Sequence, residues 1–151
     1  MINTFTVEIY EYEGKLFIFP TSETNAAHFY ELPSLKISYD STALEIGKTV
    51  LEASKKVRDY EFEHCPFSKE EEYTDIGVKS WITFINKSRF CSLSLCDGDE
   101  KIDIYPGYRS AGGFEFGDGL FATPDDPQDI GEKVLQALKT YEPKYPKNKS
   151  K

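Results

Sequence analysis

Three stretches of the 151-residue chain hold side chains whose types and spacing could do chemistry. Residues 105–119, YPGYRSAGGFEFGDG, place five glycines and Arg109 between apolar segments, the composition of a phosphate cradle. A phosphate-binding loop needs G-x-x-x-x-G-K-[ST], so that its amides wrap the phosphate and its lysine reaches it. Here the glycines lead instead to Glu115 and Asp118, which would repel phosphate, and no Lys-Ser or Lys-Thr follows. The G-x-G-x-x-G of dinucleotide folds is missing as well. Asp97-Gly98-Asp99-Glu100-Lys101 contains the D-x-K spacing of some nuclease metal sites. Its counterpart upstream is Glu13-Gly14-Lys15, so turn chemistry between paired strands explains both better.

The third stretch joins His64 and Cys65 to Glu61 and Glu63, a possible start of a metal site. Zinc ligands favour C-x-x-C or H-x-x-x-H with a second pair elsewhere. Cys91 and Cys96 are five apart on an expected strand and point to opposite faces, and His28 is the one further imidazole. Polar edge and Pro66 turn are the better account. A Cys-His nucleophile finds no local motif, and Glu70-Glu71-Glu72 reads as a solvated face in which Ser68 and Glu71 could cap a short helix. No enzyme is expected, and neither a metal nor a cofactor.

The elements that must position these residues follow from periodicity. TFTVEIY (4–10) alternates as a half-buried strand. A turn at Gly14 and a second strand, Leu16–Phe19, ended by Pro20, follow it, and LKISY (35–39) reads as a short third strand. Residues 42–57 read as a helix with the apolar stripe Ala43, Ile46, Val50, Ala53 and Val57. Asp40 or Ser41 can cap it, and Thr42 with Glu45 has capping-box spacing. After a polar region (59–79), Trp81–Ile85, Phe90–Leu95 and Lys101–Tyr105 read as a three-strand meander, turned at Asn86-Lys87-Ser88 and Asp97-Gly98-Asp99. A last helix begins at Pro127, capped by Asp126, with the stripe Ile130, Val134, Ala137 or Leu138, and Tyr141. The Lys- and Pro-rich tail, 142–151, is expected to fray.

Two segments echo each other. Ile46-Gly47-x-x-Val50-Leu51-x-Ala53-x-Lys55 matches Ile130-Gly131-x-x-Val134-Leu135-x-Ala137-x-Lys139, and Lys15-Leu16-x-Ile18-Phe19-Pro20 matches Lys101-Ile102-x-Ile104-Tyr105-Pro106. The pattern is that of a diverged repeat of hairpin, loop and helix over about 3–58 and 88–141. The fold class expected is therefore α+β in one domain (1–141), an antiparallel sheet with two principal helices. A glycine at the same place in both helices suggests close helix–sheet approach. In the repeat frame the glycine-rich segment corresponds to residues 21–37, which contain no glycine, so its glycines serve tight turns or a pliable recognition surface.

Composition bounds the rest. Hydrophobic residues make up 39% and aromatics 15%, too apolar for a disordered chain. The net charge of −8 disfavours direct nucleic-acid binding and suits docking on a basic partner. The N-terminus does not read as a secretory signal, no stretch reads as a membrane span, and three cysteines without framework spacing point to a reducing cytoplasm.

The K-I-x-I-x-P of Lys101–Pro106, the Gly-Gly-Phe-Glu-x-Gly-Asp of Gly112–Asp118 and the Ile-Gly opening of Ile130–Leu138 resemble the CdiI-type immunity proteins of bacterial contact-dependent growth inhibition. The resemblance implies inhibition of the C-terminal nuclease toxin domain of a cognate effector by direct binding in the cytoplasm. In part of that family a toxin β-hairpin extends the sheet, a strand-addition mode. A small-ligand-sensing or regulatory domain with residues 108–119 as a lid is the alternative, and a hydrolase or nuclease comes third. The candidate binding residues are Tyr108, Arg109, Phe114, Glu115, Phe116 and Asp118, with Asp97, Asp99 and Asp103 adding to the same field: aromatics and arginine anchor interfaces, and carboxylates can pair with toxin lysines.

Overall fold

The computed structural model describes residues 5–23, 29–31, 35–56, 58–59, 77–78, 80–95, 99–110 and 113–143. His28, Cys65, His64, Asp97 and Val57 fall outside them, as do the Glu70–Glu72 run and the residues from 144 on. The fold is α+β. Strands β1 (Phe5–Tyr12), β2 (Lys15–Glu23), β4 (Leu35–Ser38), β6 (Arg89–Leu95), β7 (Ile102–Ser110), β8 (Gly113–Phe116) and β9 (Leu120–Ala122) pair in an open antiparallel sheet. Past Pro20, β2 goes on to pair with β3 (Phe29–Glu31) and the two-residue β5 (Arg58–Asp59). The β1–β2 hairpin closes through Glu13 and Gly14, both at positive φ (51° and 81°), the conformation a two-residue primed turn requires.

Pro20 does not end its strand, contrary to the expectation from sequence. β2 pairs with β4 up to Ile18 and with β3 from Thr21. Pro20 falls in the gap, where no partner on that side needs its missing N–H. Pro106 repeats the device: β7 pairs with β9 up to Ile104 and with β8 from Gly107.

The pairing pattern recurs along the chain: β3 and β4 flank β2 as β8 and β9 flank β7, while β5 has no counterpart among the described residues. β1 and β6 pair at the centre of the sheet. If Lys15 and Lys101 are equivalent, so are Val7 and Leu93, and these two residues face each other across β1 and β6. The helices meet reciprocally as well. α1 (Ala43–Ser54) and α3 (Pro127–Leu138) cross at their N-terminal turns, where Gly47 lies against the Pro127 carbonyl and Gly131 against the Ala43 carbonyl. This reciprocal contact is what an isologous interface looks like. It also corrects the role expected of these glycines. They let helix approach helix, not sheet, because a Cβ at either site would overlap the partner's backbone.

Caps explain where the helices start. Thr42, not Asp40 or Ser41, caps α1, in a full capping box with Glu45. Asp126 accepts from the Asp129 amide and Pro127 takes the first turn of α3, as expected. At the far end, the Arg89 guanidinium donates to the carbonyls of Leu138 and Tyr141, both at 3.3 Å, and meets Glu142 at 2.9 Å. The first helix ends at Ser54, short of the expected 57.

Trp81–Ile85 is not a strand. It belongs to α2 (Trp81–Lys87), so Asn86-Lys87-Ser88 is a helix end, and the expected meander lacks its first strand. Ser80 caps α2 by accepting from the Thr83 amide, and the Ser88 hydroxyl closes it on the Phe84 carbonyl at 2.6 Å. Trp81, Phe84 and Ile85 share a helical face.

Each face of the sheet has its own core. Under α1 and α3 lie Val7, Ile9, Leu16, Ile18, Cys91, Leu93, Ile102 and Ile104, closed by Ile46, Val50, Ile130 and Val134. Burial of each such side chain is worth about 1.5–3 kcal/mol. The opposite face carries an aromatic core under α2: Tyr10, Tyr12, Phe17, Phe19, Phe84 and Phe90. Tyr10 is its hub, with ring centroids 4.7 Å from Phe90, 5.0 Å from Phe84 and 5.6 Å from Phe19.

Candidate functional site

The glycine-rich segment is mostly strand. Residues 107–110 and 113–116 form the β7–β8 hairpin, in which β8 starts at Gly113 with φ 151°, and the Gly117 amide bonds back to the Pro106 carbonyl at 2.9 Å. Three of its glycines make room for rings, Gly117 for that of Tyr141. A Cβ on Gly107 would meet Phe90 and Phe116, and one on Gly119 would come within 2.8 Å of the Tyr105 ring. A hinged lid needs slack backbone; this one is pinned in register on β7.

Strand pairing distributes the expected binding residues over two faces and two ends. Tyr108 and Glu115 pair on the helix side, where the Tyr108 ring lies 4.7 Å from Tyr141 and its hydroxyl donates to Glu115 at 3.5 Å. The Glu115 carboxylate pushes the Tyr108 phenol above its ordinary pKa. Arg109 and Phe114 pair on the opposite face. There the Arg109 Nε donates to Asn86 Oδ1 at 3.1 Å, and its guanidinium lies 5.5 Å over the Phe114 ring. Phe114 packs inward against Phe90 at 4.4 Å, so it closes the aromatic core, whereas Phe116 remains 49% exposed. Asp118 is exposed beside Gly119. Asp103 is six residues from Arg109 along β7, about 20 Å at strand rise. With the exposed Asp99 it borders a shallow depression of about 310 Å³ lined also by Glu100, Lys101 and Phe121. Asp97 lies outside the described residues. The described carboxylates and the arginine therefore do not form one cluster.

What they border is a surface of exposed rings, of which only Phe116 is among the residues expected from sequence. On the face away from α1 and α3, Tyr105 (39% exposed), Phe116 and Phe121 (54%) stand over the second half with no described element above them. Register places Asp103 beside Phe121 on one side and Ser94 on the other, and Tyr105 beside Ser92. The Tyr105 row continues through Ser92 to Glu8 and then Phe19. Burial raises the Glu8 carboxyl above its ordinary pKa, partly offset by a hydrogen bond from Ser92. Lys101 Nζ lies 5.8 Å from the Phe121 ring centre, so this face already takes a cation on an aromatic ring. The alternation Asp103-x-Tyr105 held the signal, since both residues had to leave the Ile102–Ile104 face.

Among the described residues, no three His, Cys, Asp or Glu side chains gather as metal ligands. Cys91 is fully buried and its thiol is pushed far up by burial, so it behaves as a core residue. No described helix is long and apolar enough to cross a membrane. The geometry offers an aromatic, acid-edged surface, suited to holding another molecule.

No protein-family model matches the chain, and no curated protein does. Solved structures do. One is a protein of unknown function from Neisseria meningitidis, 17% identical, with a TM-score of 0.69 over 91% of this chain and 95% of that one. Another is a chain of the CdiA-CT/CdiI toxin and immunity complex from Yersinia pseudotuberculosis, 14% identical, with a TM-score of 0.68 over 91% of this chain and 97% of that one. The likeness is one of fold. It extends over most of each chain.

Proposed function

We propose that this chain is an immunity protein: it binds the C-terminal nuclease toxin domain of a cognate contact-dependent growth inhibition effector in the cytoplasm and neutralises it. The observation that carries this reading is the fold likeness, over nearly the whole length, to a chain of a toxin and immunity complex. The net charge of −8 supports it, because a domain that grips a nucleic-acid backbone presents lysines and arginines that an acidic surface can pair with. Inhibition needs no chemistry from the inhibitor, only coverage of the toxin's working surface. β8 and β9 each pair only with β7 among the described residues, so their outer edges offer backbone groups to a toxin hairpin by strand addition. The test is co-expression with the effector domain encoded beside this gene. Cells carrying that domain should survive only with this chain present, and the two proteins should co-purify. Survival that needs no physical complex would overturn binding as the mode of protection.

A further inference from the structure

The correspondence of the halves exposes a vacancy. In the first half, Phe17 and Phe19 on β2 are covered by α2 and are 2% and 1% exposed. Their equivalents on β7 are Asp103 and Tyr105, which no described element covers. The exchange of a buried phenylalanine for Asp103 decides what the second seat can hold. An apolar helix laid over Asp103 would strand an unpaired carboxylate. A lysine or arginine would pair with it while its alkyl stem packed on Tyr105, Phe116 and Phe121.

We propose that this open face, carried by Asp103, Tyr105, Phe116 and Phe121, is the seat of a lysine- or arginine-bearing segment of the protein this chain binds. The identity of that protein rests on the immunity reading; the seat itself does not. Charge favours such an occupant over the alternatives. Asp99, Glu100 and Asp118 edge the face, while Lys101 already stands on the Phe121 ring. The chain's own residues 60–76 carry Glu61, Glu63, Glu70, Glu71, Glu72 and Asp75 against Lys69, so they would be repelled. A second copy of this acidic chain meets the same repulsion.

Calorimetry of the full chain against the neighbouring effector domain tests the seat. Asp103→Lys should weaken the complex roughly tenfold or more, and Tyr105→Ala and Phe121→Ala should weaken it too, with melting temperatures kept. Ile82→Ala, on the solvent side of α2, should leave affinity unchanged. Wild-type affinity in Asp103→Lys overturns the proposal. If the wild-type chain does not bind that domain, the immunity reading fails, and the seat is then judged with the basic peptide acetyl-Lys-Arg-Leu-Lys-Arg-amide. Its amide-shift footprint should centre on Tyr105, Phe116 and Phe121 and vanish in Asp103→Lys; a footprint indifferent to that substitution overturns the seat. Two other occupants would also overturn it. A chain cut after Pro143 would shift β7–β9 amides if the lysine-rich C-terminus were seated there, and a self-dimer would dissociate on Tyr105→Ala.

Discussion

The two halves of the molecule share a backbone plan and differ in what lies over it. Val7 faces Leu93 across β1 and β6, Gly47 and Gly131 exchange the same contact, and Pro20 and Pro106 occupy the same gap between partner strands. On the helix side, the halves are nearly interchangeable. On the other side, α2 lies over Phe17 and Phe19, and at the equivalent positions of β7 the second half has Asp103 and Tyr105. The likeness holds in the helix-side packing and breaks on the opposite face, where Tyr105, Phe116 and Phe121 stay exposed.

The largest expected effect tests the shared part. Val50→Asp and Val134→Asp each place an unpaired charge in the helix-side core, and both should abolish the folded state, as read by circular dichroism. A folded Val134→Asp protein would remove α3 from the account of the core. Next comes the contrast on the opposite face. Phe19→Ala should cost about 3–5 kcal/mol in urea unfolding, whereas the equivalent Tyr105→Ala should stay within about 0.5 kcal/mol, as for an exposed site. Equal losses would mean that Tyr105 is buried after all.

The helix crossing gives a third, smaller pair. Gly47→Ala and Gly131→Ala should each cost about 1–3 kcal/mol, the range for overpacking, and by nearly the same amount. A large cost at one and none at the other would break the correspondence at the helices. The smallest effect concerns Glu8. Its folded-state pKa is raised by burial, so the folded protein holds a proton more tightly than the unfolded chain. Stability should therefore fall as pH rises from the ordinary glutamate value through the raised one, and level off above it. Glu8→Gln should match wild type below that window and be the more stable protein above it. A Glu8→Gln variant less stable than wild type at neutral pH would mean that the carboxylate has a partner worth more than its desolvation.

Much of this was legible in the sequence, for identifiable reasons. The strict alternation of FTVEIY, the capping box at Thr42 and the Asp126-Pro127 start encode their elements locally, and the Ile-Gly stripes expose the correspondence of the helices. Trp81–Ile85 misled because a five-residue apolar run fits both periods, and its β-branched Ile82, Thr83 and Ile85 favour a strand. Only the Ser80 cap and the aromatic core below make it a helix. The glycine-rich segment misled differently. Its glycines accommodate rings from Tyr105 and Phe90, contacts set by pairing that no local pattern encodes. The candidate binding residues were chosen by type, and the sheet then split them: Phe114 went into the core, Tyr108 and Glu115 to the helix side, and the exposed ring at Phe121 went unnoticed. Which alternating face is open depends on where α2 lies, which β7 cannot tell.

Hydrogen exchange of the full chain, alone and with the neighbouring effector domain, tests most directly whether binding uses the open face of the second half. Slowed exchange in β7, β8 and β9 with β2 and β4 unchanged is the expected result. Protection confined to the first half, or spread evenly over both, would contradict it.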